Sequence, residues 1–198
     1  MSTILRLLSC AMLLGVSIAA SAHTLIYSAT LTGAEEVLPN DSPGIGAAIV
    51  TVDLDLLTMR VQSIFAGLES PTAAAHIHCC TSTPGTGPAG VATAVPSFPG
   101  FPLGVMTGTF DATFDMSAAA SYNPAFVTAN GGNLSDAFNA LLAGLNAGTA
   151  YFNVHTELYP GGEIRGFLTA PAPVPVPAAA WLLGSALVGL AWQRRRAA

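Results

Sequence analysis

The chain predicts a mainly β domain, an antiparallel sandwich or barrel with one inserted helix. Three observations predict it. Short segments alternate apolar and polar residues with period two, as strands with one buried face do. Gly, Pro, Asn and Asp punctuate those segments. A single stretch near 134–145 spaces its apolar residues at three and four, the helical interval.

The elements follow in order. Leu25–Leu31 sets Leu25, Tyr27, Ala29 and Leu31 against Ile26, Ser28 and Thr30. Ile45–Leu54 sets Val50, Val52 and Leu54 against Ile49, Thr51 and Asp53. A hairpin loop at Asp55-Leu56 leads into Leu57–Phe65, where Met59 and Val61 oppose Arg60 and Gln62. Thr72–His78 is a fourth strand candidate, and Gly104–Phe114, rich in Val, Thr and Phe, is another. Between them, 81–102 is crowded with Pro and Gly, which predicts a long loop around one short strand, Val91–Val95. In the helix, residues 134, 138, 141, 142 and 145 are apolar, Asn133 suits the N-cap and Gly148 the stop. Ala150–Thr156 and Glu163–Leu168 close the domain around the turn Tyr159-Pro160-Gly161-Gly162.

Both ends read as addresses. Arg6, the apolar run Leu7–Ala20 and the small-x-small pattern Ala20-Ser21-Ala22 predict a signal peptide over 1–22. Cleavage after Ala22 would make His23 the new N-terminus. At the other end, Pro175 and Pro177 precede an apolar stretch from Ala178 to Trp192, then Arg194, Arg195 and Arg196. That stretch is shorter than the ~20 residues that span a bilayer comfortably. The arginines should stay cytoplasmic and leave the body of the protein outside. Val-Pro-x-Pro, then Ala-Ala-x-Trp-Leu-Leu-Gly-Ser-Ala-Leu, then an arginine cluster resembles the PEP-CTERM sorting tail of Gram-negative bacteria. The resemblance implies inner-membrane anchorage before processing by an exosortase-type enzyme, then release to the cell surface or matrix. Val176 stands where that family usually has Glu.

One domain, 23–170, lies between the addresses, long enough to bury a core without staples. All 11 acidic residues fall within it, against Arg60 and Arg165 alone, and the chain has no Lys. Nucleic-acid binding is excluded, because phosphate contacts need basic side chains.

The densest chemistry is Ala75-His76-Ile77-His78-Cys79-Cys80, in a chain with only 4 His and 3 Cys. On a strand, His76 and His78 share a face with Cα atoms about 6.6 Å apart, within reach of one ion. A histidine from a distant strand could complete a set of three, and His23 could add a further ligand. Three imidazoles suit copper or zinc. The competing reading is that these histidines hydrogen-bond inside the sandwich and fix loop geometry. Alternation turns Cys79 away from the histidine face. With Cys80 it could form a local redox feature or a vicinal disulfide, a strained one because neighbouring Cα atoms about 3.8 Å apart fall below the usual disulfide window. Glu163 and Arg165 lie two apart, so they should share a face, as an ion pair or as the carboxylate that orients His155. Glu35-Glu36 and Asp53/Asp55 lack the spacing of a calcium loop and read as solvated turns. No nucleophile elbow, phosphate-cradling loop with Lys, or Cys-x-x-Cys pair occurs.

Three fragments together resemble the CHRD domain, named after chordin. They are Tyr27-Ser28-Ala29-Thr30-Leu31-Thr32-Gly33-Ala34-Glu35-Glu36, then Ala74-Ala75-His76-Ile77-His78. The third runs Asn153-Val154-His155-Thr156-Glu157-Leu158-Tyr159-Pro160-Gly161-Gly162-Glu163-Ile164-Arg165-Gly166. Cys79-Cys80 replaces the glycine that commonly follows His-x-His. The resemblance implies an extracytoplasmic β-sandwich, in a family with no established general activity. Two export addresses on one compact domain without a catalytic constellation point to a non-enzymatic binding or structural module with extracellular polysaccharide or surface-protein partners. His-x-His with a later strand His also resembles the copper ligands of copper–zinc superoxide dismutases. That implies a sandwich of superoxide-dismutase-like or Ig-like Greek-key type and a three-histidine metal site on His76, His78 and His155, although the chain has no fifth His to bridge two metals.

Overall fold

A long connection over 33–44 and a hairpin turn over 54–57 place the first three strands side by side. The computed structural model describes residues 23–171. The signal-like segment, Pro175, Pro177 and Arg194–Arg196 lie outside the described residues. β1 (Thr24–Thr32), β2 (Ile45–Asp53) and β3 (Thr58–Ala66) pair antiparallel in one unbroken register, with Tyr27 opposite Val50 and Val50 opposite Val61. β4 (Thr72–His78) crosses to one edge of the sheet, and β5 (Gly108–Asp115) returns to pair with β3 at the other. β6 (Tyr151–Thr156) and β7 (Ile164–Phe167) form a hairpin between β4 and β1. The result is the expected mainly β, antiparallel class, realised as one curled seven-stranded sheet of order β4-β6-β7-β1-β2-β3-β5.

The β7–β1 seam is narrow. Thr32 pairs with Arg165, and Ser28 and Thr169 exchange two backbone hydrogen bonds. Gly166 is needed here, because a side chain would run into the carbonyl oxygen of Thr30.

Inner-face residues of all seven strands join one apolar cluster, including Tyr27, Val50, Val61, Ile77, Phe110, Phe152 and Ile164. Each large side chain so buried contributes about 1.5–3 kcal/mol. The expected helix is α2 (Leu134–Asn146), capped by Asn133 Oδ1 on the Asp136 N–H. It closes the core with Ala137, Leu141 and Leu145, and the Tyr27 hydroxyl donates to Asn146 Oδ1.

Three expectations are corrected. A short helix, α1 (Pro124–Ala129), precedes α2 and was not visible in the periodicity. Val91–Val95 is no strand: Val91 and Thr93 make isolated bridges to His78 and Tyr122. That segment instead caps the free edge of β4, where the Ala92 N–H donates to the Ile77 carbonyl and Thr93 Oγ1 accepts from the Ile77 N–H. β5 starts at Gly108 because 104–105 also serve that edge: the Thr72 N–H donates to Val105 O and the Gly104 N–H to Thr72 O. Covering an edge in this way removes a template for unwanted strand pairing.

Candidate metal centre

Register decides which side chains stand beside His76 and His78. On β4 and β6, His76 lies opposite Asn153, His78 opposite Tyr151 and Ala74 opposite His155. Residues directly opposite share a face, so all these side chains project from the outer face, away from Ile77, Phe152 and Val154. On β7, Arg165 lies opposite Asn153 and extends the same row. Loop segments cover this outer face, so His76, His78, Tyr151, Asn153 and Arg165 are buried and His155 is half-buried. The covered sheet half therefore has a second, polar interior.

The three imidazoles meet. Ring centroids of His76 and His78 are 5.8 Å apart, His76 and His155 5.2 Å, His78 and His155 5.5 Å. One nitrogen from each ring falls within a set whose members all lie within 4.8 Å of one another.

Their hydrogen bonds fix the tautomers. A carbonyl only accepts, so the ring nitrogen bonded to it carries the proton. His76 Nε2–H donates to Pro96 O at 2.6 Å, His78 Nδ1–H to Ala89 O at 2.9 Å and His155 Nδ1–H to Pro160 O at 3.0 Å. In the neutral rings His76 Nδ1, His78 Nε2 and His155 Nε2 then hold lone pairs. His76 Nδ1 is buried with no partner. His78 Nε2 and His155 Nε2 stand 3.4 Å apart, with no proton left to join them. Two nitrogens about 2.0–2.1 Å from a tetrahedral ion would stand about 3.3 Å apart. The His78–His155 pair thus matches the spacing of zinc or copper ligands, the three-nitrogen set could hold such an ion, and a backbone carbonyl behind each ring is the usual outer support of a ligand histidine.

Electrostatics keep these rings neutral. Burial pushes His78 down to about 4, assisted by the charges that His155, His76 and Arg165 would present. Burial likewise pushes His155 down to about 4 and lowers His76. Neutral imidazole is the form that binds a metal.

The other expected residues are placed as follows. His23 lies away from the cluster, and its exposed Nδ1 meets Asp55 Oδ1 at 3.2 Å. Glu163 does not support His155. Its oxygens accept from Ser42 Oγ, the Glu69 N–H and Thr156 Oγ1, tying three segments together. Arg165 does border the site. It stacks on Tyr151 at 4.7 Å, and Tyr151 stacks on His78 at 4.8 Å. Its guanidinium donates to Glu35 O and to Gly87 O. Cys79 and Cys80 are joined in a disulfide, so neither offers a thiolate.

Sequence reasoning missed Tyr151, Asn153 and Glu36. Tyr151 and Asn153 share period two with His155, a signal present in the alternation. Glu36, expected in a solvated turn, is instead buried. Its Oε2 sits 4.0 Å from Arg165 Nε, yet burial outweighs that cation and pushes its carboxyl up to about 7. Its Oε1 has no partner.

No curated protein and no solved structure matches the chain. The CHRD domain matches residues 27–168, which take in the sheet from Tyr27 of β1 onward and the histidine centre, and the chain belongs to the CHRD-domain family.

Proposed function

We propose that the protein is an exported, non-enzymatic CHRD module that holds one copper or zinc ion on His76, His78 and His155. The observation that carries the metal is the pair of facing nitrogens, His78 Nε2 and His155 Nε2, 3.4 Å apart with their protons committed elsewhere. Two lone pairs at that distance repel, and burial opposes the proton that would otherwise relieve them. A metal ion relieves them at the separation its bonds require.

Export is supported by the signal-like start, by the sorting-like tail and by the Cys79–Cys80 disulfide, since disulfides persist in oxidising compartments. The tail is the substrate of an exosortase-type processing enzyme, and the mature module resides at the cell surface or in the matrix. There it contacts extracellular polysaccharide or surface proteins.

Elemental analysis with titration calorimetry tests the metal reading. One equivalent of copper or zinc is expected, with unfolding stabilised by about 2.7 kcal/mol at a hundred times the dissociation constant. His155→Ala should weaken binding by more than the roughly 10–100-fold that an outer partner supports. No stoichiometric metal and an unshifted melting temperature would sink it. Deleting Arg194–Arg196 should block tail processing; an unchanged mature mass would count against the sorting reading.

A further inference from the structure

The mechanism of metal retention leaves the Cys79–Cys80 disulfide unused, although it begins one residue beyond His78. Its two sulphurs face different surroundings. Cys79 is 5% exposed, and its N–H donates to Gly90 O at 3.0 Å. Cys80 is exposed; both cysteines, with Gly90, Val91, Asn123 and Phe126, wall a cleft of roughly 410 Å³, and of the two only Cys80 opens to solvent there. On the opposite side α2 closes off the bridge. Gly144 lies so near both sulphurs that even a Cβ there would overlap them.

The disulfide also sets how the chain leaves β4, and the residues that follow are the roof of the histidine cluster. The Thr81 N–H donates to Thr149 O and the Gly85 N–H to Gly148 O. Gly87 O then accepts from Arg165, and Ala89 O from His78 Nδ1. A roof that starts at the disulfide therefore ends on a ligand.

We propose that Cys79–Cys80 is a thiol–disulfide exchange site for an extracytoplasmic dithiol, and that its oxidised form holds the histidine cluster in its binding geometry. The second clause rests on the metal reading above. A thiolate of the dithiol attacks Cys80 Sγ from the cleft. The S–S bond breaks, its electron pair leaves on Cys79 Sγ, and solvent protonates that thiolate. The second thiol of the reductant, as thiolate, then attacks the reductant sulphur of the mixed disulfide and releases Cys80. The protein gains two electrons and two protons, and the dithiol becomes a disulfide. Bonded sulphurs lie about 2.05 Å apart, whereas free thiols separate to contact distance, about 3.5–4.0 Å. Gly144 blocks one direction, so Cys80 swings into the cleft and takes the start of the roof with it.

Two measurements on the purified full-length protein test this. Under native conditions, glutathione should form a trappable adduct that peptide mass mapping places on Cys80, and dithiothreitol should then expose two alkylatable thiols in folded protein. A disulfide that resists dithiothreitol until the protein unfolds, or an adduct on Cys79, overturns the exchange site. For the coupling, Cys79→Ser/Cys80→Ser removes the bridge without adding thiolates. Its zinc affinity should fall at least tenfold, with the His78 imidazole NMR signals shifted. The reduced wild-type chain should show the same imidazole shift before any zinc is added, which keeps the test open if the serine variant folds poorly. Unchanged affinity and unchanged imidazole signals overturn the coupling. Absence of zinc binding by the oxidised wild type would instead fell the metal reading, while the adduct and imidazole readouts still judge the disulfide.

Discussion

Strands β1, β2, β3 and β5 leave one face to water, whereas β4, β6 and β7 are covered on both. The first group alternates buried and exposed residues along each strand. In the second, His76, Ile77 and His78 are consecutive and all buried, as are Tyr151, Phe152, Asn153 and Val154. The difference lies in the loops: 81–97 and the turns near 35 and 160 form a second layer over only one half. That layer changes what a polar side chain does. On the open half, Arg60 and Asp111 form a two-pronged ion pair at 50% and 49% side-chain exposure, which water screens. On the covered half, Arg165 and Glu36 sit at 4% and 3%. There, position and protonation are dictated by the protein.

The largest test of that contrast removes each arginine in turn. Arg165→Met should cost about 3–5 kcal/mol, since it strands the buried Glu36 carboxylate and two backbone carbonyls. The cost should be greatest above pH 7, where Glu36 is ionised. Arg60→Met should cost no more than about 1 kcal/mol, the range of an exposed pair. Urea unfolding of both variants decides it. Equal costs would show that the covering layer does not alter the worth of a charge.

Alternation made the open half legible. Period two alone puts Tyr27, Val50, Met59 and Val61 on the faces opposite Ser28, Ile49, Arg60 and Gln62, and those faces build the core. The same rule put His76 and His78 on one face and turned Cys79 from it. It could not supply the third partner, because the sequence distance from 78 to 155 carries no register; that came from family resemblance. Nor could it show that a loop would bury the outer face of β4, β6 and β7. Carbonyls of Ala89, Pro96 and Pro160 orient the histidines, and backbone acceptors have no residue-type signature. Glu163 was misplaced for a related reason: the hairpin turn swings it out of the β7 alternation and toward Ser42 and Thr156.

A subtler test uses pH on metal-free protein. His78 and His155 lie near 4 when folded, below their ordinary value near 6.5. The unfolded chain therefore binds protons first as pH falls, and stability is lost between about 6.5 and about 4. Glu36 opposes this. Its folded value of about 7 exceeds the ordinary 4.5, so its contribution is present at low pH and lost as pH rises toward 7. Two histidines outweigh one carboxyl, so stability should climb with pH through the shared window. Glu36→Gln should steepen that climb and abolish the loss near pH 7. An identical pH profile in the variant would mean that Glu36 titrates normally.

The smallest expected effect lies on the open outer face. Ile49 is 43% exposed there, between Ser28 and Gln62 on neighbouring strands. Ile49→Thr keeps the β-branched shape that suits a strand and removes apolar surface already in water. The change should stay within about 0.5 kcal/mol, as for surface positions without special contacts. Tyr151→Phe, on the covered outer face, removes only a hydroxyl near Ala89 but should cost about 1 kcal/mol. The two variants change similarly small groups, so the ratio of their costs isolates the covering layer itself. If Ile49→Thr proved the costlier, the open face would have to be covered in the native protein by something beyond residues 23–171.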